Sequence, residues 1–344
     1  MAARRVIRRA LWVYGSLLAV FAGIVAGAVA WDLLRFLNSP LPVTEPRLLR
    51  VEPGSNFHSL GRQWVNEGLI RWPHHARYLR LYARLSGKAT RLKAGEYQIR
   101  PGVSPRQLVD DLVSGRAYQY SLTIIEGWTF QQMMQAVAAA PTLRPTLPDH
   151  SAEAVMRALG RPGEHPEGRF FPDTYHFPGG TTDVDFLRRA YDTMARVLEQ
   201  EWQGRAPDLP LNSPYEALIL ASIIEKETGQ PQERAEIAGV FVRRLRLGML
   251  LQTDPTVIYG MGSAYDGNIR LTDLKRDTPY NTYTRAGLTP TPICLPGREA
   301  IHAALHPAPG DSLYFVARGD GSHHFSSSLE EHNEAVRKFQ LKQP

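Results

Sequence analysis

S213-P-Y-E-A-L-I-L-A-S-I-I-E-K-E-T-G229 is the stretch from which the rest of the chain can be read. Ser213 is a helix-capping residue type, Pro214 suits the first helical position, and Glu216 stands three residues after the cap. Together they predict a capping box with proline at N1. Ala217 to Ile224 is apolar except for Ser222. A helix apolar on every side is buried on every side. The run ends on Glu225, with Glu227 two residues further and Gly229 placed to close the helix.

Acidic residues in a last turn face the negative end of the helix dipole. A carboxyl emerging from an apolar run is also poorly solvated, and both effects raise its pKa. A glutamic acid held protonated near neutral pH can protonate a leaving oxygen. The plainer alternative is that Glu225 marks where the buried helix meets water, with Lys226 and Arg234 as partners. Glu225 and Glu227 lie about 200° apart around a helix, so they cannot face one substrate together. Glu225 continues the apolar run directly and is the expected acid.

The chain has 344 residues, 43% of them hydrophobic, enough for more than one packed domain. Residues 1–10 carry Arg4, Arg5, Arg8 and Arg9, and residues 11–31 carry no charge. That stretch has the length of a membrane-spanning helix. The arginines predict a cytoplasmic N-terminus, with the remainder across the cytoplasmic membrane. Ala28-Val29-Ala30 also fits a cleavage site, but the apolar run is longer than a usual signal sequence. The net charge of +6 falls to +2 without those four arginines. A nucleic-acid binder would show a concentrated basic face. Cys294 is the only cysteine, which excludes an intrachain disulfide and a cysteine-cluster metal site.

Residues 32–50 include the proline-rich spacer 38–47. Three related segments follow: V51-E-P-G-S-N-F-H-S-L60, I99-R-P-G-V-S-P-R-Q-L108 and I124-I-E-G-W-T-F-Q-Q-M133. Aligned on Gly54, Gly102 and Gly127, each places a capping residue (Asn56, Ser104, Thr129) two positions on and an apolar residue six on. Each predicts a strand, a glycine turn and a capped helix. This unit resembles LysM-like modules, small folds associated with cell-wall glycans. Residues 72–85 have the spacing of a helix packing one face. Residues 183–203 and 231–247 also read as helices, the latter with Arg243, Arg244 and Arg246 on a solvated far face. A hairpin over 312–325 and a helix capped by Ser328 and Glu331 end the chain. His323, His324 and His332 match no zinc spacing.

L220-A-S-I-I-E-K-E-T228, L251-Q-T-D-P-T-V-I-Y-G-M-G262, Y280-N-T-Y283, H306-P-A, S312-L-Y-F-V-A and F171-P-D-T-Y175 occur in one order. In these motifs the chain resembles the MltG-type endolytic murein transglycosylases. The resemblance implies cleavage of the β-1,4 bond between N-acetylmuramic acid and N-acetylglucosamine inside peptidoglycan strands. The product is a 1,6-anhydro ring, made by one glutamate acting as acid and then base, here Glu225 by motif position. It implies no cofactor, and association with peptidoglycan strands, the membrane and peptidoglycan synthases. Gln252, Asp254, Tyr280, Asn281 and Tyr283 are the candidates for positioning the sugar, or alternatively for scaffolding their loops. Two other readings stay open: a glycan-binding scaffold without catalysis, and a hydrolase pairing Glu225 with Asp254 or Asp173. The expected fold is α+β, with a transmembrane helix, a LysM-like domain over 51–120 and a catalytic domain over 121–344.

Overall fold

The computed structural model describes residues 2–341. The side chains of residues 1–10, and with them the four arginines of the expected cytoplasmic terminus, lie outside the described residues. The fold mixes helices with three two-stranded sheets. It divides into two compact units, residues 1–120 and 121–344.

Helix α1 (Ala2–Asn38) holds an apolar segment, Leu11–Asn38, long and apolar enough to cross a membrane. Its side chains from Leu11 to Trp31 are exposed, whereas Phe36 and Leu37 are buried in the first unit's core. In that unit β1 (Arg47–Val51) is followed by α2 (Phe57–Asn66), α3 (Pro73–Leu85), β2 (Gly95–Ile99) and α4 (Pro105–Ser114). Strands β1 and β2 pair antiparallel, Leu49 opposite Tyr97, and their inward side chains pack on Trp64, Leu79 and Leu108.

The second unit takes up β3 (Gln119–Thr123), α5 (Phe130–Ala139), α6 (Ala152–Ala158), β4 (Thr174–Pro178) and α7 (Asp183–Gln203). Strand β3 pairs with β4. Next come α8 (Pro214–Glu227), α9 (Arg234–Arg246), α10 (Asp254–Met261), α11 (Leu271–Lys275), α12 (Arg298–Leu305), β5 (Tyr314–Ala317), β6 (His323–Ser326) and α13 (Leu329–Phe339).

The three glycine segments share one local geometry. Gly54, Gly102 and Gly127 have φ of 81°, 88° and 77°. Such values suit a residue without a Cβ. Two residues on, Asn56, Ser104 and Thr129 each close a full capping box.

Helix α8 is the centre of the second unit. Every residue from Ala217 to Ile224 is buried, against α7, α9 and α12. Ser222, the one polar residue of the run, is satisfied inside the core. Its hydroxyl donates to the Ile219 carbonyl at 2.7 Å and accepts from the Ile293 amide at 3.0 Å. The helix thereby docks the loop before α12. Both ends differ from the expected caps. Ser213 accepts from the Glu216 amide at 3.2 Å, but the Glu216 carboxylate accepts from the Asn212 amide at 2.7 Å, so the box is half formed. At the other end Thr228 is extended, and Gly229 does not take the left-handed form. The chain leaves α8 straight, and the Thr228 hydroxyl accepts from the Gln230 amide at 2.9 Å.

Two of the three arginines of α9 depart from their expected solvated role, whereas Arg246 is exposed as expected. Arg244 is buried and donates to the carbonyls of Leu313 (2.6 Å), Leu250 (3.2 Å) and Leu251 (2.9 Å). Arg243 donates to Ser312 and Ala308 carbonyls at 2.7 and 3.1 Å. The guanidinium fork satisfies carbonyls just outside regular elements. That fastens the β5–β6 hairpin and the 250–251 turn to α9.

Candidate functional site

The two acids at the end of α8 point into different surroundings. Glu225 has a side chain only 7% exposed. Its Oε2 accepts from the Gly297 amide at 3.0 Å, and its Oε1 lies 3.8 Å from the Arg234 guanidinium. Burial and then the Glu126 charge push its pKa up, against the Gly297 amide, Arg234 and Lys226. Gly297 also lets the Glu126 side chain approach, since a Cβ there would lie 2.0 Å from a Glu126 oxygen. Glu225 thus ties α8 to the start of α12.

Glu227 turns the other way, where the Thr253 hydroxyl donates to its carboxylate. Burial drives its pKa up to about 7. The Thr253 hydrogen bond opposes the shift, and the Asp254 charge adds to it. Glu227 lines a cleft of about 530 Å³ with Arg244, Gln252, Asp254, Tyr283, Tyr314 and His332 among its walls. Glu225 does not line this cleft.

Three of the five expected sugar-positioning residues are therefore gathered beside Glu227. Gln252 is exposed in the cleft wall with φ of 51°, a left-handed conformation uncommon for a residue with a side chain. Its amide donates to the Thr282 carbonyl at 3.1 Å. Asp254 opens α10 and accepts from the Tyr283 hydroxyl at 2.6 Å. Burial first, and then this carboxylate, raises the Tyr283 pKa.

The other two have scaffolding roles. Asn281 is 1% exposed. Its Nδ2 donates to the carbonyls of Asp273, Leu274 and Arg276, and its Oδ1 accepts from the Tyr283 amide at 2.8 Å. With both polar atoms engaged, Asn281 shapes the loop that carries Tyr283. Tyr280 shares a hydrogen bond of 2.9 Å with Thr291 and packs edge-on against Tyr259. Neither lines the cleft.

Thr253, Arg244, Tyr314 and His332 were not singled out as site residues by the motifs. The Arg244 guanidinium lies 5.1 Å over the Tyr314 ring, and the His332 ring stacks on Tyr314 with centroids 5.2 Å apart. The density of polar residues around Thr253 was the available clue.

Replacing Thr253 by the isosteric valine removes a donor that favours ionised Glu227. A hydrogen bond to a charged group is worth roughly 1.5 kcal/mol or more, about one pH unit. Thr253→Val is expected to move the Glu227 titration upward by about that amount, followed in the carboxyl-carbon chemical shift of Glu227 across pH.

A third acid, Glu167, is 3% exposed, and burial pushes its pKa up to about 7. It accepts from the Phe130 amide at 2.8 Å and the Tyr259 hydroxyl at 3.1 Å. Between its ordinary value and about 7 the folded chain binds a proton that the unfolded chain has released. Stability therefore falls as pH rises through that window. Glu167→Gln removes this dependence. Its melting temperature relative to the parent is expected to rise from pH 5 to pH 8, by the equivalent of about 2–3 kcal/mol. A constant difference across that range would contradict the assignment.

The model of the YceG-like family matches residues 49–338. A Bacillus subtilis protein named endolytic murein transglycosylase is 32% identical over 311 residues, 85% of this chain and 84% of that protein. A Streptococcus pneumoniae protein of the same name is 29% identical, covering 92% of this chain and 63% of its own length. The crystal structure of a YceG-like protein from Listeria monocytogenes superposes with a TM-score of 0.52 at 29% identity, over 85% of this chain and 99% of that one. Family match, relatives and fold agree, and this chain belongs to the YceG-like family.

Proposed function

We propose that the chain is a membrane-anchored endolytic transglycosylase of peptidoglycan, and that Glu227, not Glu225, is its proton donor. The observation that carries the reading is a half-buried carboxyl, its pKa raised to about 7, on a cleft walled by Gln252, Asp254 and Tyr283. Protonated Glu227 delivers its proton to the glycosidic oxygen between N-acetylmuramic acid and N-acetylglucosamine. The bond from that oxygen to muramic acid C1 breaks. The muramic acid 6-hydroxyl then closes on C1 and gives its proton to the Glu227 carboxylate. The result is a 1,6-anhydro ring, a released 4-hydroxyl and a regenerated acid, with no water consumed.

One carboxyl suffices because the nucleophile belongs to the sugar. A hydrolase would need a second carboxylate to activate water. Asp254 is occupied by the Tyr283 hydroxyl, which favours a positioning role for that pair. Gln252 and Tyr283 supply polar contacts to the sugar. Glu225 holds α8 and α12 in register.

The β1–α2–α3–β2 arrangement of the first unit, with its antiparallel pair, supports the LysM-like reading and glycan binding by that unit. The anchor helix, preceded by arginines in the sequence, supports a cytoplasmic N-terminus with the remainder on the far side of the membrane. Digestion of purified peptidoglycan by the full chain in detergent, with products weighed by mass spectrometry, tests the reaction. Glycan ends one water lighter than reducing ends are expected. Reducing ends would identify a hydrolase, and binding without cleavage a scaffold.

A further inference from the structure

Where the anchor helix enters the first unit, three side chains converge that the proposed reaction does not use. Asp32 lies on α1, and His74 and His75 occupy the first turn of α3. The Asp32 Oδ2 is 3.3 Å from His74 Nε2 and 3.7 Å from His75 Nε2, and the ligand atoms all lie within 4.8 Å of one another. We propose that Asp32, His74 and His75 bind a divalent transition metal of the zinc class, which clasps the anchor helix to α3.

The distances favour a metal over a simple ion pair. Hydrogen bonds between nitrogen and oxygen run at about 2.7–3.2 Å. Ligands about 2.0–2.2 Å from a tetrahedral zinc stand roughly 3.3–3.6 Å apart, the edge of that tetrahedron. The two carboxylate–imidazole separations are near that edge. A second observation concerns His75 itself. Its Nε2 is buried and has no hydrogen-bond partner, although buried polar atoms are ordinarily satisfied. The ring is held in place by stacking on Phe36, 4.3 Å between centroids.

Two cations line the same cavity, Arg35 and Arg71. Each guanidinium lies over an indole, Trp31 at 5.2 Å and Trp72 at 5.4 Å, so neither is paired with the Asp32 carboxylate. Two imidazoles and one carboxylate suit zinc, cobalt or nickel and leave a fourth position for water. A second group, Glu201, His302 and His306, has less to offer. Glu201 is already bound by Arg298 at 2.6 Å and His302 at 2.9 Å, and His306 by the Gly204 carbonyl at 2.8 Å.

The test is titration of the metal-stripped full chain in detergent micelles with Co2+, read by visible absorption, then displacement with Zn2+. One equivalent of Co2+ should give tetrahedral bands that Zn2+ abolishes. His75→Ala and Asp32→Asn should each weaken binding at least about tenfold. His302→Ala should leave it unchanged. Circular dichroism establishes that each variant is folded, and His74→Gln replaces any that is not. No bands in the parent, bands of equal affinity in the Asp32 and His75 variants, or bands lost with His302→Ala would overturn the proposal.

Discussion

Glu227→Gln is expected to lower the rate of glycan cleavage by roughly 10²–10⁴-fold, the range contributed by a positioned general acid. Glutamine keeps the size of the side chain and can still accept from Thr253, so the fold and the cleft should persist. What it lacks is a proton to give at the first step and a base to take one at the second. The same assignment fixes the sign of the pH dependence. The first step needs the protonated carboxyl, whose pKa is raised to about 7, chiefly by burial. Turnover on dilute substrate should therefore fall as pH rises through about 7. The measurement is the initial rate of release of soluble fragments from peptidoglycan, across pH for the parent and at neutral pH for the variant. A variant within tenfold of the parent would remove Glu227 from the reaction.

Leu220→Ala should strongly destabilise the second unit. Leu220 is fully buried at the middle of α8, the helix packed on α7, α9 and α12. Truncating a buried leucine removes transfer energy and leaves a cavity, together about 2–5 kcal/mol. In a unit of this size each kcal/mol lowers the melting temperature by about 2–4 °C. A loss of roughly 4–20 °C is expected, read by calorimetry or by the far-ultraviolet signal on heating. Because α8 carries both Glu225 and Glu227, activity should decline before global unfolding, as the helix loosens. A shift under 2 °C would mean that the core closes over the gap.

Much of this was legible in the residues. The all-apolar run from Ala217 to Ile224 predicts a helix with no exposed face, and α8 has none. The glycine segments predict their turns because a left-handed φ and a capping residue two positions on are local properties. The long apolar helix near the N-terminus is likewise local, a matter of length and absent charge. That the two acids face apart was legible from their two-residue spacing, but which of them lines the cleft was not, for a physical reason. In a helix buried all round, apolar continuity carries no direction. What distinguishes the Glu227 side is Thr253, Asp254 and the β5–β6 hairpin, which arrive in the chain 26 residues or more later. The inference from continuity favoured Glu225, whereas the packing places Gly297 and Arg234 against it.

The same limit explains the arginines of α9. Their spacing put them opposite the apolar stripe, but the chain returns over that face, and Arg243 and Arg244 satisfy its carbonyls. Asn281 and Tyr280 illustrate the converse. Polar residues crowded between apolar runs suggest a binding wall, yet the Asn281 amide is consumed by four backbone contacts in its own loop. Tyr283, two residues on, is the member of that motif that reaches the cleft.

The measurement that bears most directly on this account is a side-by-side digestion of peptidoglycan by full-length Glu225→Gln and Glu227→Gln, with the ends of the released glycans identified by mass. The account predicts anhydro-muramic acid ends from Glu225→Gln, at a reduced rate because its tie to Arg234 is weakened, and none above background from Glu227→Gln. Anhydro ends from Glu227→Gln together with none from a folded Glu225→Gln would contradict it and return the proton to Glu225.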